Sequence, residues 1–379
     1  MSLSKFENVK ISGLLTVVPE RHINIDDELE LFNGDKMKLE RHKKILGLGK
    51  RHVVSEGMSV GTMCEEAARL LMAQTHIGPD EIDTVIATSN SHDYNGNSTA
   101  CLIQGNLGLS EETACFDTSG LGCTDSVYGL WLAHSLIQSD ASRKCLFLEG
   151  SVGSLLTDVR NRKTCILFGD AAAAVLLERT AESRPAFFHL KSFGREWKKL
   201  VTPAGGFKLP VRKDIIDLEL KDPEGNITHL WDLVMSGEEI FRFVMEHAPE
   251  SVQTLLDFAG LTRDDLDFFG IHQANGQIVR TVINHAQIPK AKASAETFSK
   301  YGNCSGTSVL VNLCDIMKNS PIGKVQLISF GVGMSVASCI LDLSQAHNGG
   351  LHLIKAPAEA PTRQQLIEEW VDFIERGNV

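Results

Sequence analysis

Residues 114–149 read ACFDTSGLGCTDSVYGLWLAHSLIQSDASRKCLFLE, and this stretch decides the fold. The segment 114–118 predicts a strand, and a glycine-rich turn that contains Cys123 follows it. Residues 125–137 are mostly apolar and predict a helix, and the apolar run 145–149 predicts a second buried strand. Short apolar strands that alternate with helices are typical of an α/β protein whose sheets are covered by helices.

The same alternation continues on both sides of this unit. Apolar spacing and β-branched runs predict helices at 60–73, 98–107, 238–247, 251–259, 276–286 and 305–317, and strands at 9–15, 84–88, 164–168, 172–177, 268–271, 325–330 and 335–343. Pro249 interrupts the periodicity and predicts two helices instead of one at 238–259. A polar stretch at 179–184 marks a seam between two halves with the same rhythm. We therefore expect one half at 1–180 and a similar half at 181–345.

The tail at 346–379 has a different composition. KAPAEAPT contains two prolines and predicts an extended linker, and residues 362–376 predict an amphipathic helix. One interpretation is a terminal helix docked on its own domain, and the other is a helix that docks a partner. The apolar face of this helix contains Leu366, Ile367, Trp370, Phe373 and Ile374.

Composition limits the function classes. The 379 residues include 37 Lys and Arg against 48 Asp and Glu, a formal net charge of −11, which argues against general nucleic-acid binding. The nine cysteines lack CxxC spacing, so we expect reduced thiols, a cytoplasmic protein and no metal site. The beginning of the chain lacks the apolar region of a secretory signal, and we expect no membrane span. Dinucleotide-binding, P-loop and HExxH motifs are absent from the sequence.

Cys123 is the first candidate for chemistry. Gly120 and Gly122 precede it and an apolar helix follows, which places the sulfur at a helix N-terminus. Unpaired N–H groups and the helix dipole at such a position favour a thiolate. On this spacing alone, a buried structural cysteine is the favoured interpretation.

Polar residues that follow predicted strands supply the other candidates. His272 and Asn275 lie directly after the strand at 268–271, at the end of a strand where α/β proteins bind ligands. Asn303 lies in a Gly/Ser turn that opens a helix, where a helix cap is the simpler interpretation. The segment 329–334, SFGVGM, follows a strand, and its glycine turn can present backbone N–H groups to an oxyanion.

Taken in order, these segments resemble the β-ketoacyl-acyl carrier protein synthase III family of thiolase-superfamily condensing enzymes. Eight stretches carry the resemblance over residues 8–343: ATSNSHDYNGNSTACLIQGNLG, LGCTDSVYGLWLA, LFGDAAAAVLL, TPAGGFKLP, MSGEEIFRF, IHQAN, YGNCSGTS and SFGVGMS. The resemblance implies a thiolase-like α/β fold, in which two similar βαβαβαββ halves form a five-layered αβαβα core. It also implies a homodimer.

The resemblance assigns roles to the candidates. Cys123 would accept an acyl group from a thioester, and His272 and Asn303 would bind the thioester carbonyl of a malonyl unit on acyl carrier protein. Phe330, Gly331, Val332, Gly333 and Asn275 would bind substrate or the oxyanion. The substrates would be acyl-CoA or acyl-carrier-protein thioesters, with no cofactor.

Two departures from the family pattern leave alternatives open. Thr124 and Asp125 follow the nucleophile where the family has a small residue and then glycine, and we expect Asp125 to cap the helix. The region near 38–52 lacks the family's aromatic residue that stacks on adenine, so the primer need not be a CoA ester. A basic cluster would receive the acidic carrier protein through Arg41, Lys43, Lys44, Arg51 and Arg280.

The expected reaction is transfer of an acyl group to Cys123, followed by decarboxylative Claisen condensation with malonyl-acyl carrier protein. One alternative is an acyltransferase that passes the acyl group to an alcohol or amine. The other is a catalytically silent subunit, an interpretation that the unusual Thr124 and Asp125 keep open.

Overall fold

The computed structural model describes residues 2–318 and 322–377. The strands are β1 (Leu3–Phe6), β2 (Val9–Pro19), β3 (His22–Asn24), β4 (Lys50–His52), β5 (Thr84–Thr88), β6 (Ala114–Thr118), β7 (Lys144–Val152), β8 (Asp170–Arg179), β9 (Ala186–Ser192), β10 (Leu200–Val201), β11 (Leu220–Lys221), β12 (Ile227–Thr228), β13 (Val234–Met235), β14 (Phe268–Ile271), β15 (Lys324–Gly331), β16 (Ser335–Asp342) and β17 (His347–Ile354).

The helices follow the apolar periodicity of the sequence in most places. They are α1 (Lys36–Leu46), α2 (Val60–Thr75), α3 (Thr99–Leu107), α4 (Asp125–Gln138), α5 (Arg162–Cys165), α6 (Lys213–Ile216), α7 (Gly237–Ala259), α8 (Gly276–His285), α9 (Thr297–Tyr301), α10 (Ser308–Met317) and α11 (Arg363–Glu375). Short 3₁₀ turns at Gly122–Thr124 and Ser305–Thr307 precede α4 and α10. Within the described ranges, no helix has the length and hydropathy of a membrane-spanning segment.

Two large sheets repeat one pattern of pairing. In the six-stranded sheet the order is β17-β2-β8-β7-β5-β6, and in the five-stranded sheet it is β1-β9-β16-β15-β14. β5 pairs in parallel with β7, β7 antiparallel with β8, and β8 antiparallel with β2. β14, β15, β16 and β9 pair in the same sequence of directions. The two halves are therefore structural repeats, although residues 286–307 form no counterpart of β6.

Helices and sheets alternate in five layers, as the family resemblance implies. α2 and α3 cover the outer face of the six-stranded sheet, α4 and α10 lie between the sheets, and α7 and α8 cover the five-stranded sheet. Three apolar cores fill the spaces between these layers. The central layer matters for function because α4 and α10 both begin at the same end of the molecule.

Two local predictions are wrong. α7 continues through Pro249 without a break. Proline inside a helix costs roughly 3 kcal/mol, but the buried side chains around it, such as Ala248 and Val252, anchor both halves of the helix on the sheet. The strand predicted at 164–168 is a short helix and a turn, since Asn161 caps α5.

The tail is only partly a linker. Residues 347–354, for which the sequence predicts no strand, form β17, which pairs in parallel with β2 at the edge of the six-stranded sheet. The linker KAPAEAPT follows at 355–362, as predicted. α11 follows, as predicted, and Thr362 caps it. Trp370 lies edge-on to Tyr94, with 5.9 Å between ring centroids, and the apolar face of α11 is about half exposed. The helix thus contacts its own chain, and docking of a partner stays a prediction.

Candidate active site

Cys123 lies where two loops touch. It is in the 3₁₀ turn between β6 and α4 and is buried. A Cβ on Gly331 would lie 2.8 Å from the Cβ of Cys123 and 2.9 Å from its backbone nitrogen. A Cβ on Gly122 would lie 2.8 Å from Cγ2 of Val332, and Gly122 has a φ of +55°. Glycine at both positions lets the end of β15 approach the sulfur closely.

His272 follows β14 and is buried. Its Nδ1 lies 2.7 Å from Oγ of Ser308, the first residue of α10. The same oxygen accepts a hydrogen bond from the backbone N–H of Gln273 at 3.1 Å. When Ser308 donates its hydroxyl proton to Nδ1, the imidazole carries its own proton on Nε2, where it can donate to a substrate oxygen. Burial lowers the pKa of His272 to about 3, so the ring is neutral at physiological pH.

Asn303 is held on three sides. Its backbone N–H donates to the carbonyl of Leu167 at 2.8 Å, and its carbonyl accepts from Gly169 at 3.1 Å. Its Oδ1 accepts the backbone N–H of Ser305 at 2.9 Å. Because the oxygen is engaged, the amide offers its Nδ2–H₂ donors to the cavity.

One cavity of about 380 Å³ unites the residues that the sequence proposed. Gly333, which follows Val332 in the turn after β15, does not line this cavity. The predicted residues that line it are Cys123, His272, Asn303, Asn275, Phe330, Gly331 and Val332. A nucleophile and two hydrogen-bond donors thus face a shared space of the size that a small acyl group needs.

Ser305 is a residue that the sequence analysis missed. Its Oγ lies 3.6 Å from Sγ of Cys123, and its backbone N–H orients Asn303. It has a φ of +52°, a conformation that costs a non-glycine residue of order 1 kcal/mol or more. A small polar residue two positions after Asn303 in a Gly/Ser turn was the available signal.

Three of the predicted docking cations are accessible. Arg41 and Lys44 are exposed on α1. Arg280 lies on α8 and donates to the carbonyl of Ile45 at 2.6 Å, which joins α8 to the end of α1. Other residues of α1 and α8, such as His42 and Gln277, line the vestibule described below, so these charges lie on elements that border it, a position that suits an acidic partner.

The other two cations are engaged by carboxylates. Lys43 pairs with Asp26 at 2.5 Å. Arg51 is buried and forms a bidentate pair with Glu28, with both N–O distances 2.6 Å. A docking role for Arg51 is therefore wrong, because its guanidinium faces the protein interior.

Another cluster has the composition of a metal site. Single atoms of Asp158, His229 and Asp232 all lie within 4.8 Å of one another. Arg160 already binds Asp158 through Nε and Nη2 at 2.7–3.3 Å. His229 and Asp232 are joined by a backbone N–H bond of 2.6 Å. This hydrogen-bonded arrangement accounts for the cluster without a metal ion.

Comparison with known proteins identifies the family to which this chain is similar. Residues 116–194 match the family model described as 3-oxoacyl-[acyl-carrier-protein (ACP)] synthase III, and residues 256–343 match its C-terminal model. A relative from Campylobacter curvus, named beta-ketoacyl-[acyl-carrier-protein] synthase III, is 32% identical over 87% of this chain and 95% of its own length. The chain belongs to the β-ketoacyl-ACP synthase III family. A synthase III from Syntrophomonas wolfei is 30% identical over 88% of this chain and 97% of its own length.

Solved structures confirm the thiolase-like fold. The crystal structure of a 3-oxoacyl-(acyl-carrier protein) synthase from Burkholderia xenovorans superposes with a TM-score of 0.84 at 28% identity, over 93% of this chain and 99% of the other. This synthase III family member is accordingly a condensing enzyme of the acyltransferase class.

The nucleophile of this family member differs from expectation in its ionisation. The position before α4 favours a thiolate, but burial raises the pKa of Cys123 to about 12. The hydroxyl of Ser305 opposes this shift, and the carboxyl groups of Asp125 and Glu149 add to it. The resting sulfur is therefore a thiol, which must lose its proton as substrate reacts.

Asp125 does not cap α4 as the sequence predicts. Its Oδ2 accepts from Nδ2 of Asn90 at 3.0 Å, and its carboxyl group is bonded by the backbone N–H groups of Leu121 and Gly122. Burial raises the pKa of Asp125 to about 7. The side chain thus braces the loop that leads to Cys123 and changes its charge near neutral pH.

We expect Asp125→Asn to make Cys123 more reactive only above neutral pH. Ionised Asp125 opposes ionisation of the thiol, and asparagine cannot ionise, so alkylation of Cys123 by iodoacetamide at pH 8.5 should rise about threefold to tenfold. At pH 6 the wild-type carboxyl group is protonated, and the two proteins should react at similar rates. Peptide mass spectrometry separates Cys123 from the other eight cysteines. An equal rate ratio at both pH values would instead indicate a structural effect.

Proposed function

We propose that this enzyme transfers an acyl group from a thioester to Cys123 and then joins it to malonyl-ACP by decarboxylative Claisen condensation. The observation that carries the proposal is the shared cavity, in which the sulfur faces one imidazole and one carboxamide. Ser305 links the groups, since it contacts Cys123 and orients Asn303. No metal or cofactor is needed for this chemistry.

The first step is thiol exchange. Sγ of Cys123 attacks the thioester carbonyl, and a tetrahedral oxyanion forms beside the backbone N–H of Cys123 and the Gly331 loop. The intermediate expels the thiol of the donor, which leaves with the proton that Cys123 gives up. One pre-placed donor of this kind typically stabilises the transition state by about 3 kcal/mol.

The second step makes a carbanion. The bond between the malonyl carboxylate and the α-carbon breaks, CO₂ leaves, and the electron pair becomes an enolate. Nε2–H of His272 and Nδ2–H₂ of Asn303 hold the enolate oxygen. Both donors are neutral and weakly acidic, so they stabilise the charge without protonating the carbanion. The carbanion attacks the acyl carbonyl on Cys123, the new C–C bond forms, and the sulfur leaves as a thiolate that takes a proton from solvent.

The prepared amide of Asn303 favours condensation over acyl transfer to an alcohol or amine. Such a transfer needs a general base near the acceptor, whereas the imidazole of His272 is buried and has a pKa lowered to about 3. A neutral imidazole can donate its N–H to an enolate oxygen, but it is a weak base for removing a proton from an alcohol or amine.

Two measurements on the purified enzyme test the proposal. Incubation with acyl thioesters should add the acyl mass to the intact protein at Cys123, and malonyl-ACP should then release CO₂ and yield a β-ketoacyl product. An acyl-enzyme that forms but releases no CO₂ with malonyl-ACP would indicate the acyltransferase. Absence of any adduct with a broad thioester panel would indicate the silent subunit.

We also propose acyl carrier protein as a partner and a homodimer as the working form. Exposed Arg41, Lys44 and Arg280 support docking of an acidic carrier.

β6 supports the dimer, because it pairs with β5 on one side and ends the six-stranded sheet on the other. Sedimentation of a monomer at micromolar concentration would contradict the dimer. The nine free thiols support a cytoplasmic location.

A further inference from the structure

A vestibule adjoins the cavity that contains Cys123. Its volume is about 780 Å³, and α1, α5, the β11–β12 hairpin and the beginning of α8 surround it. The two spaces share the lining residues Leu167, Leu233, Met235, Gly237, Asn275 and Ile278. A thioester that reaches Cys123 through this vestibule must leave the non-acyl part of its donor there.

The vestibule contains two cations that are already matched by carboxylates. Arg162, whose side chain is only 8% exposed, pairs with Oε2 of Glu224 at 2.7 Å. Lys163 pairs with Asp222 at 2.8 Å and with Oε1 of Glu224 at 3.0 Å. These four side chains therefore carry no net charge between them.

The carboxylates are built into a fixed hairpin. Oδ1 of Asn226 accepts the backbone N–H of Arg162 at 3.1 Å, and Nδ2 of Asn161 donates to Oγ1 of Thr228 at 2.8 Å. Asp222 also accepts the backbone N–H groups of Glu224 and Asn226 at 2.9 and 3.0 Å. The hairpin is thus fastened to α5 by bonds that do not depend on the ion pairs.

CoA thioesters and carrier-linked thioesters differ most in the part of the donor that would lie in the vestibule. A CoA thioester ends in a nucleotide with a pyrophosphate and a 3′-phosphate, which need unmatched cations. A carrier-linked phosphopantetheine arm has one phosphodiester at its junction with the carrier and is otherwise uncharged, with amide and hydroxyl groups along its length. The remaining polar lining consists of His42 and of amide and hydroxyl side chains, such as Asn161, Thr164, Thr228 and Gln277, with apolar side chains between them.

We infer that the vestibule selects carrier-linked acyl thioesters and discriminates against CoA thioesters, because Asp222 and Glu224 neutralise Arg162 and Lys163. The inference rests on the proposed acylation of Cys123 and names the class of acyl donor. Without the two carboxylate charges, Arg162 and Lys163 would be unmatched cations that attract the phosphates of CoA.

The test compares one acyl group on three donors: CoA, acyl carrier protein and pantetheine without its phosphate. Acylation of the wild-type enzyme, followed by intact mass, should be at least about tenfold faster from the carrier than from CoA. Asp222→Asn with Glu224→Gln should raise the rate from CoA by about tenfold and leave the rate from pantetheine unchanged. Both substitutions keep the size of the side chain and an acceptor oxygen.

The matched control is Glu368→Gln with Glu369→Gln on α11, which changes the net charge equally at two exposed positions. This control should leave all three rates unchanged. Equal wild-type rates from CoA and carrier, or an unchanged CoA-to-pantetheine ratio in the hairpin variant, would overturn the inference. Failure of all three donors to acylate Cys123 would instead overturn the proposed function, and the inference with it.

Discussion

Replacing Asn303 by alanine should lower CO₂ release from malonyl-ACP by about 10²–10³-fold while Cys123 still becomes acylated. The substitution removes the Nδ2–H₂ donors that stabilise the enolate, and the acylation step does not use them. Trapping of labelled CO₂ measures the first effect, and the intact mass of the enzyme measures the second. A difference between these two readouts is what separates a role in decarboxylation from a general loss of structure.

Asn303→Asp is the matched control, because it keeps the shape and the Oδ1 acceptor for Ser305. Its carboxylate offers no donor and repels the enolate, so it should release CO₂ no faster than the alanine variant. If both variants decarboxylate at the wild-type rate, Asn303 has no part in that step. If both variants lose acylation as well, the substitution has moved the loop that contains Asn303. Backbone hydrogen bonds tie this loop to Leu167 and Gly169, so the loss would then be structural.

Much of the fold follows from short-range patterns. The strands predicted at 84–88 and 268–271 match β5 and β14 residue for residue, because strands covered on both faces are continuous apolar runs with clear ends. The candidate site was also accessible from local context, since Cys123, His272 and Asn303 each follow or open a regular element. These three residues share one cavity because of the way the two repeated halves pack together. That arrangement is predicted by the family resemblance and not by the local patterns.

The features that the sequence did not predict are products of long-range contacts. α7 continues through Pro249 because burial against the five-stranded sheet outweighs the lost hydrogen bond. Residues 347–354 become a strand because the edge of β2 is available to them. The helix position of Cys123 favours a thiolate locally, and yet burial by the surrounding loops raises its pKa. The ion pairs of the vestibule join residues about sixty positions apart in the sequence, so no local pattern predicts them.

Replacing Cys123 by alanine should abolish the acyl-enzyme and reduce condensation by at least about 10³-fold. No other cysteine can take its place, because the reaction needs a sulfur beside the Gly331 loop and within reach of the enolate. Intact mass after incubation with the best acyl donor measures the adduct, and product analysis measures condensation. The alanine side chain removes only the sulfur from a packed turn, so the cavity and the neighbouring donors should persist.

Cys123→Ser sharpens this prediction. A serine hydroxyl ionises far less readily than a thiol, and an ester is a poorer acyl donor to a carbanion than a thioester, so each half-reaction should slow. His272 lines the cavity and has a pKa lowered to about 3 by burial, so it is a weak base toward a serine hydroxyl. We therefore expect the serine variant to be nearly as inactive as the alanine variant. Comparable activity of Cys123→Ser and wild type would mean that a general base acts on this position, and would contradict proton transfer to the departing thiol. An adduct that persists in Cys123→Ala would place the nucleophile elsewhere in the chain.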